Sequence, residues 1–178
     1  MDYQAIIDKY YPDENELRAL LIHHSRQVAD RALLIARRHP ELRLDTQFLE
    51  EAAMLHDIGV CRCDAPGIHC HGSEPYIRHG IIGARMLRQE GFERHARVCE
   101  RHTGAGITVE EIRQQHLPLP EADYMPQWME EKVVCYADKF YSKSHPEREK
   151  TVADAARSLE KFGFDSARRF LEWASIFE

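Results

Sequence analysis

Apolar residues recur at helical spacing along almost the whole chain, and no segment alternates convincingly at the period of two that a half-buried strand shows. One stretch has an apolar face from Phe48 to Leu55 and is followed by His56, Asp57 and a natural stop at Gly59. The sequence therefore predicts an all-α helical bundle of about eight to nine helices, with a histidine–aspartate pair in the last turn of a buried helix.

The helix boundaries follow from caps, glycines and prolines. The first helix lies within residues 2–11, and Asp13 can cap a second that reaches Pro40, either unbroken or restarting near His23 and His24. The predicted later segments are 46–59, 75–90, 93–103, a short helix opened by Thr108 and Glu111 as a capping box, 127–142, 146–162, and a last helix capped by Asp165.

The 178 residues are most simply one domain, 1–178, with a chemically rich core at 24–139 and helices from 146–178 packed on it. Phe170, Trp173 and Phe177 put large apolar groups on more than one face of the last helix. Closure of the domain's own core is the default interpretation, and a homodimer contact is the alternative.

The net charge of −6 and the lack of a basic run argue against a stable nucleic-acid partner. No apolar stretch approaches the roughly 20 residues of a membrane helix, and the N-terminus lacks the order of a signal peptide, so no membrane association is expected. Five scattered cysteines, an odd number, favour a reduced cytoplasmic protein.

The main chemical feature is an ordered set of four histidines and two aspartates, separated by gaps of 32, 22, 23 and 36 residues: His24, His56-Asp57, His79, His102 and Asp138. Such gaps require each ligand to come from a different helix, as in helical dimetal centres. Imidazole nitrogens with carboxylates suit Fe, Mn, Zn or Co better than Ca or Mg. Any one of these histidines could be a surface or core residue, and Asp138 alone could be a cap; the prediction rests on the combination.

The motifs containing these residues are His24-Ser25 with Val28-Ala29, His56-Asp57-Ile58-Gly59, His79-Gly80 with Gly83-Ala84, His102-Thr103-Gly104 and Ala137-Asp138-Lys139. Over residues 24–139 this order resembles the HD-domain superfamily of metal-dependent phosphohydrolases. The resemblance implies an HD-domain helical bundle in which His24, His56, Asp57 and Asp138 bind one metal, and His79 and His102 add a second.

Within that superfamily the chain is similar to dinuclear bacterial diadenosine tetraphosphate hydrolases. The resemblance implies two divalent transition metals, with iron favoured over Mn, Zn and Co, and Asp57 as the bridging catalytic carboxylate. It also implies a small phosphorylated substrate, a nucleotide or other phosphoester such as a dinucleoside polyphosphate, attacked by a metal-activated hydroxide.

Two substrate-binding residues are suggested near these motifs. Many relatives have a lysine after His-Asp-Ile-Gly, whereas this chain continues with Val60, Cys61 and Arg62. Arg62 could bind phosphate in place of that lysine or simply be solvated. Lys139 directly follows a ligand, so it could bind a phosphate or pair with an acidic side chain on the helix surface.

The remaining patterns support weaker hypotheses. Three cysteines and two histidines between Cys61 and His71 could hold zinc, although their spacing is not that of a zinc knuckle, and a loop over the site is the alternative. Aromatic residues at helical spacing indicate core packing, and a further group of histidines is expected at the surface or in loops. These are Trp128, Tyr136, Phe140 and Tyr141, and His39, His95, His116 and His145.

Two other functions remain open at the level of sequence. A few HD-fold relatives use the same six ligands to hold two irons and activate dioxygen, so a diiron oxygenase is one alternative. A non-enzymatic regulatory HD module is the other, although such modules usually lack ligands. Release of phosphate or nucleotide without oxygen distinguishes the hydrolase from the oxygenase.

Overall fold

The computed structural model describes residues 1–160 and 163–178, and it confirms the all-α prediction. The helices in these ranges are α1 (Tyr3–Tyr10), α2 (Glu16–Arg38), α3 (Thr46–Leu55), α4 (His79–Gln89), α5 (Glu93–Arg101), α6 (Val109–Gln114), α7 (Met129–Asp138), α8 (Val152–Leu159) and α9 (Phe164–Phe177). Short 3₁₀ turns lie at Pro40–Leu42, Ile58–Arg62, Pro66–Ile68 and Tyr76–Arg78. A two-stranded antiparallel hairpin joins β1 (Asp64–Ala65) to β2 (Cys70–His71), where no strand was predicted.

Side-chain caps set several helix starts. Asp45 accepts a hydrogen bond from the backbone N–H of Phe48, and Thr108 and Glu111 form the predicted capping box. The cap of α2 is Asn15 rather than Asp13, because the Asn15 side chain accepts from the N–H of Arg18. The helix then runs without a break through His23 and His24, which settles the open choice between one helix and two.

Other predicted boundaries were too generous. Helix α3 ends at Leu55, so His56 and Asp57 lie just beyond it, where the chain tightens into a 3₁₀ turn. Segment 75–90 is a 3₁₀ turn followed by α4, and α7 stops at Asp138, not near residue 142. Helix α8 starts after Thr151, not at Pro146, and the predicted end at Phe162 lies outside the described residues. Gly163, rather than Asp165, occupies the cap position of α9.

The core is built around α2, which packs against α3 and α7, while α4 packs against α5 and the Ile58–Arg62 turn. Helix α9 packs on α7 and α8. Tyr136 of α7 and Phe140 just beyond it meet Phe170 of α9, and Tyr136 also meets Phe177. The rings of Tyr136 and Phe170 are stacked at 4.8 Å. Phe170, Trp173 and Phe177 are thus buried in the chain's own core, as the default interpretation held.

Three glycines let backbones meet beneath the histidine–aspartate pair. A Cβ on Gly59 would lie 2.2 Å from the carbonyl oxygen of His79 and 2.4 Å from the nitrogen of Gly83. A Cβ on Gly80 would lie 2.5 Å from the carbonyl oxygen of Cys99 in α5. These contacts require glycine because a side chain cannot fit between two backbones so close together. They draw α4, the Ile58–Arg62 turn and α5 to one point.

In the described part of the chain, none of the helices has the length and apolar character that crossing a bilayer requires.

Candidate metal centre

The structure brings all six predicted ligands into one buried cluster. His24 lies within α2, His79 begins α4, and Asp138 ends α7, while the other three follow helix ends: His56, Asp57 and His102. His56 and Asp57 are completely buried, and His24, His79 and His102 are at most 4% exposed. Ligands from five helices therefore converge because most of those helices begin or end at the same place.

The two oxygens of Asp57 divide the cluster into two halves. Oδ2 of Asp57 lies 3.3 Å from Nε2 of His24 and 3.1 Å from Nε2 of His56. Asp138 completes this group, because its Oδ1 lies 2.9 Å from Nε2 of His24 and 3.5 Å from Nε2 of His56. We call these atoms the first half of the cluster. They are two imidazole nitrogens and two carboxylate oxygens within the span of one metal coordination shell.

The second half of the cluster is formed around the other oxygen of Asp57. Oδ1 lies 3.3 Å from Nε2 of His79 and 3.4 Å from Nε2 of His102. The two imidazole nitrogens are themselves 3.0 Å apart. One carboxylate thus contributes one oxygen to each half, which is the arrangement that a bridging ligand requires.

Backbone carbonyls orient three of the rings in the same way. Nδ1 of His56, His79 and His102 lies 2.6, 2.6 and 2.7 Å from the carbonyl oxygen three residues earlier in each case. A carbonyl oxygen can only accept, so each Nδ1 carries a proton, and in the neutral ring Nε2 then presents a lone pair. Metal-binding histidines commonly have such a partner on the second nitrogen.

The nitrogen and oxygen atoms of the cluster are arranged to bind metal cations rather than to form hydrogen bonds with one another. With both Nδ1 atoms protonated, the facing Nε2 atoms of His79 and His102 are two lone pairs at 3.0 Å, which repel unless a cation or proton lies between them. Within the described residues, Oδ1 of Asp57 and Nε2 of His56 have no aligned hydrogen-bond partner. Buried polar atoms without partners are costly, and a metal ion in each half would remove that cost.

Charge is distributed unequally between the halves. Burial acts to lower the pKa of His56, but Asp57 and Asp138 outweigh it and raise that pKa to about 9. Burial lowers the pKa of His79 to about 3, and it also lowers the pKa of His102. The first half therefore attracts positive charge, whereas the imidazoles of the second half are neutral.

Lysines contribute much of the positive charge near the first half. Nζ of Lys143 lies 2.5 Å from Oδ2 of Asp57, and Nζ of Lys139 lies 2.5 Å from Oδ2 of Asp138. Burial would raise the pKa of both carboxyls, but the lysine beside each one leads the effects that hold those pKa values well below their usual range. The predicted pairing of Lys139 with an acidic side chain occurs, although at the cluster rather than on an exposed surface.

A cavity of about 450 Å³ opens from the cluster towards solvent. Its wall includes the ligands His79, His102 and Asp138, with Lys139 and Lys143 beside them. Further hydroxyl, cationic and apolar groups complete the lining, among them Thr103, Ser142, Ser144, Lys150, Tyr76, Tyr141 and Ile68. The arrangement can admit a small anionic molecule to the second half of the cluster.

Lys143 is the site residue that sequence reasoning missed. It lies in a turn five residues after Asp138, in a segment without helical periodicity. The one available signal was its position shortly after a predicted ligand, and the predicted extension of α7 to residue 142 obscured the turn.

Arg62 does not line the cavity. It is exposed at the end of the Ile58–Arg62 turn. Among the described residues, the groups able to hold a metal are the two halves of the cluster, so the Cys61–His71 segment does not form the zinc site considered above. Part of that segment, including Ile68, instead lines the cavity.

Two expectations about single residues were wrong. His95 is buried, not at the surface, and its Nε2 lies 3.1 Å from Oε2 of Glu51. Trp128 is 41% exposed rather than part of the core, and the guanidinium of Arg97 lies 4.0 Å above its ring. Tyr141 is half-buried and lines the cavity.

This constellation of buried histidines and aspartates places the chain in a known class. The family model of the HD domain matches residues 21–142, and the chain belongs to the HD-domain family. The match includes all six cluster residues.

Three curated relatives are similar to this chain over part of its length. An uncharacterized protein of Methanocaldococcus jannaschii is 39% identical over 121 residues, 66% of this chain and 64% of that protein. Proteins named tRNA (cytidine(56)-2'-O)-methyltransferase from Picrophilus torridus and Thermoplasma volcanium are 36% and 35% identical. Those matches cover 75% and 68% of this chain but only 38% and 32% of the relatives, so the shared segment is about a third of each methyltransferase.

A solved structure shows the same fold. The HD domain of the L. monocytogenes phosphodiesterase PgpH superposes with a TM-score of 0.53 and 17% sequence identity, covering 90% of this chain and 86% of that one.

Proposed function

We propose that this protein is a metal-dependent phosphohydrolase that acts on a small phosphorylated substrate, with a nucleotide favoured. The observation that carries the proposal is the two-part cluster, whose second half opens into a cavity next to two lysines. A metal cluster alone fits several reactions, but ammonium groups beside it favour an anionic, phosphate-bearing substrate.

The donor set supports two divalent transition metals, and iron, Mn, Zn and Co all fit four imidazole nitrogens with two carboxylates. We favour iron, in keeping with the sequence resemblance. When bound, such metals supply Lewis acidity and lower the pKa of water towards neutrality. Asp57 is the proposed bridging ligand and the essential carboxylate of the site.

The chain's own residues would bind and orient the substrate. A phosphate that enters the cavity meets the wall formed by His79, His102 and Asp138, with Lys139 and Lys143 beside it. Nζ of Lys139 also donates to the carbonyl oxygen of His102 at 3.1 Å, so it ties the end of α7 to the ligand that follows α5. Lys139 therefore holds two ligand-bearing segments in register while its charge faces the cavity.

The size of the cavity favours one nucleoside with its phosphates. A volume of about 450 Å³ lies in the lower half of the range of roughly 300–1,000 Å³ found for small-molecule sites. The ring of Tyr141 on its wall offers a surface for a base. A dinucleoside polyphosphate would leave its second nucleoside outside the cavity, so it ranks below mononucleotides in this proposal.

The net charge of −6 supports a small substrate over a nucleic-acid partner. The methyltransferase name of two relatives belongs to proteins of which the matched segment is about a third, and we propose no methyl transfer here. A reducing compartment such as the cytoplasm fits five unpaired cysteines, four of them buried. We propose a monomer as the working unit, since Phe170, Trp173 and Phe177 of α9 are buried in the chain's own core and only Leu171 and Ile176 stand out among its described exposed apolar residues.

The test begins with the metal content of protein purified without chelator, measured by elemental analysis. The protein is then assayed with and without oxygen against nucleoside mono-, di- and triphosphates, dinucleoside polyphosphates and a tRNA. We expect about two transition metals per chain and release of phosphate or nucleotide without oxygen.

The Asp57→Ala variant should lose bound metal and turnover while it keeps the helical circular dichroism signal, and Asp30→Ala on the exposed side of α2 is the matched control. Full activity of Asp57→Ala would sink the proposal. Products that form only with oxygen would instead identify the diiron oxygenase alternative.

A further inference from the structure

The two lysines beside the cluster contact its carboxylates in different ways. Lys139 binds Oδ2 of Asp138, whereas His24 and His56 face the other oxygen, Oδ1. Lys139 therefore leaves the metal-facing oxygen of that carboxylate free. The contact orients Asp138 and does not compete for its donor atom.

Lys143 contacts the donor atom itself. Its Nζ lies 2.5 Å from Oδ2 of Asp57, the same oxygen that faces Nε2 of His24 at 3.3 Å and of His56 at 3.1 Å. The ammonium is thus on the oxygen that a metal in the first half would use. A divalent metal and a lysine cation repel each other at such distances, so a metal on this oxygen would weaken its contact with Lys143.

The cavity gives the ammonium group of Lys143 space to move away from Asp57. Its side chain lines the cavity, its ammonium is 5.9 Å from the centre of the Tyr76 ring, and its backbone lies in a turn rather than a helix. A lysine stem has four rotatable carbons, so the ammonium can leave Asp57 and remain within the cavity by rotation of the side chain alone. A buried ammonium needs a new anionic partner after that move.

We propose that Lys143 is an exchangeable cation: it holds Oδ2 of Asp57 in the metal-free protein, and metal binding releases it into the cavity, where it binds a substrate phosphate. This makes the phosphate site complete only when the first half is loaded. The inference rests on the proposed function for its phosphate, but the exchange at Asp57 does not depend on any reaction. By thermodynamic linkage, phosphate should also tighten metal binding.

The experiment titrates Mn²⁺ alone into chelator-treated protein, and then inorganic phosphate into Mn²⁺-loaded protein, both by calorimetry and without turnover. Lys143→Met removes the charge and keeps the apolar stem. It should bind the first Mn²⁺ about tenfold more tightly, because a competing cation within contact distance is gone. The loaded variant should bind phosphate about tenfold more weakly, because one charge-assisted hydrogen bond is lost.

Lys139→Met is the matched contrast, because Lys139 also contacts a ligand carboxylate at 2.5 Å but on the oxygen facing away from the histidines. It should bind Mn²⁺ no more tightly than the wild type. Lys143→Arg keeps the charge and should retain most of both wild-type affinities, which separates loss of charge from loss of fold. Lys132→Met on α7 controls for removal of one positive charge away from the cluster.

Mn²⁺ binding by Lys143→Met that is equal to or weaker than wild type would overturn the exchange. Tighter Mn²⁺ binding with unchanged phosphate affinity would overturn the role in the cavity. If both shifts occur and no phosphorylated compound is turned over, the proposed function fails while the exchange stands.

Discussion

The two halves of the cluster share Asp57 but differ in charge and access. The first half has a second carboxylate, Asp138, and two lysines around it, whereas the second half has one carboxylate oxygen and two neutral imidazoles. Both imidazoles of the second half line the cavity, while His24 and His56 lie behind it. The comparison suggests that the two halves have different roles. The carboxylates of the first half would bind a metal ion firmly, and the second half, which lines the cavity, would be open to substrate.

Removal of His102 should have the largest effect, because it should remove the metal of the second half and leave that of the first half. In the His102→Ala variant we expect the metal content to fall from two ions to one, because His24, His56 and Asp138 remain in place. Activity should fall about a thousandfold, since a metal supplies several kcal/mol of transition-state stabilisation. Elemental analysis after gel filtration and a turnover assay measure both quantities. Two ions per chain with undiminished turnover would contradict the assignment of His102.

Gly59→Ala should damage the second half by displacing its backbone. The added Cβ would meet the carbonyl oxygen of His79 at 2.2 Å, and neither backbone can yield easily. We expect a loss of about 2–3 kcal/mol in the free energy of unfolding, measured with urea, and earlier loss of metal from the second half. Gly67→Ala is the control, because a Cβ there meets nothing within 4 Å. Equal stability of the two variants would show that α4 can move away from the turn.

Acid should destabilise the metal-free protein through the second half. The pKa of His79 is about 3 in the folded state against an ordinary 6.5, so the unfolded chain takes up a proton first as the pH falls. The stability that this neutral imidazole contributes is full above pH 6.5 and declines by on the order of 1 kcal/mol per pH unit towards pH 3. His79→Asn should flatten this slope in chelator-treated protein, with the exposed His116→Asn as control. If the free energy of unfolding falls equally steeply from pH 6.5 to 4.5 in His79→Asn and in the wild type, this role of His79 is refuted.

His56 in the first half should change the stability of the metal-free protein with pH in the opposite direction. Because the pKa of His56 is raised to about 9, its contribution is full below pH 6.5 and is lost as the pH rises through 9. His56→Asn should remove that alkaline loss from the thermal melting curves of the metal-free protein, and unchanged curves between pH 7 and 9.5 would count against the unequal charge of the two halves.

The smallest effect is expected at Arg62. Because this side chain is exposed and does not line the cavity, Arg62→Ala should change KM for a phosphorylated substrate by less than about twofold, within the range usual for surface changes. Lys143→Met measured beside it should show the larger change. A strong rise in KM for Arg62→Ala would restore the original hypothesis that Arg62 binds phosphate.

The sequence was most informative where chemistry and local structure coincide. The six proposed ligands could be chosen from their order and spacing, and five of them lie at or next to a helix end, whereas His24 lies within α2. The capping box at Thr108 is a local pattern of the same kind. Arg62 was chosen for its closeness in sequence alone, and its side chain is exposed and does not line the cavity.

Lys143 could not be predicted for a related reason. Its carboxylate partner is 86 residues earlier, and the turn that presents the lysine has no periodicity to mark it. The hairpin of Asp64–Ala65 and Cys70–His71 was missed because two-residue strands are too short for alternation to be seen. Long-range pairing and very short elements depend on tertiary contacts that a single sequence does not display.

The hydrogen bonds from Nδ1 of His56, His79 and His102 to the carbonyl three residues earlier have an evolutionary consequence. Each ring is oriented by the backbone of its own turn, so its direction does not depend on the identity of neighbouring side chains. Residues on the cavity wall can then drift, and selectivity for one phosphorylated compound can give way to another, while the metal-binding geometry is inherited unchanged.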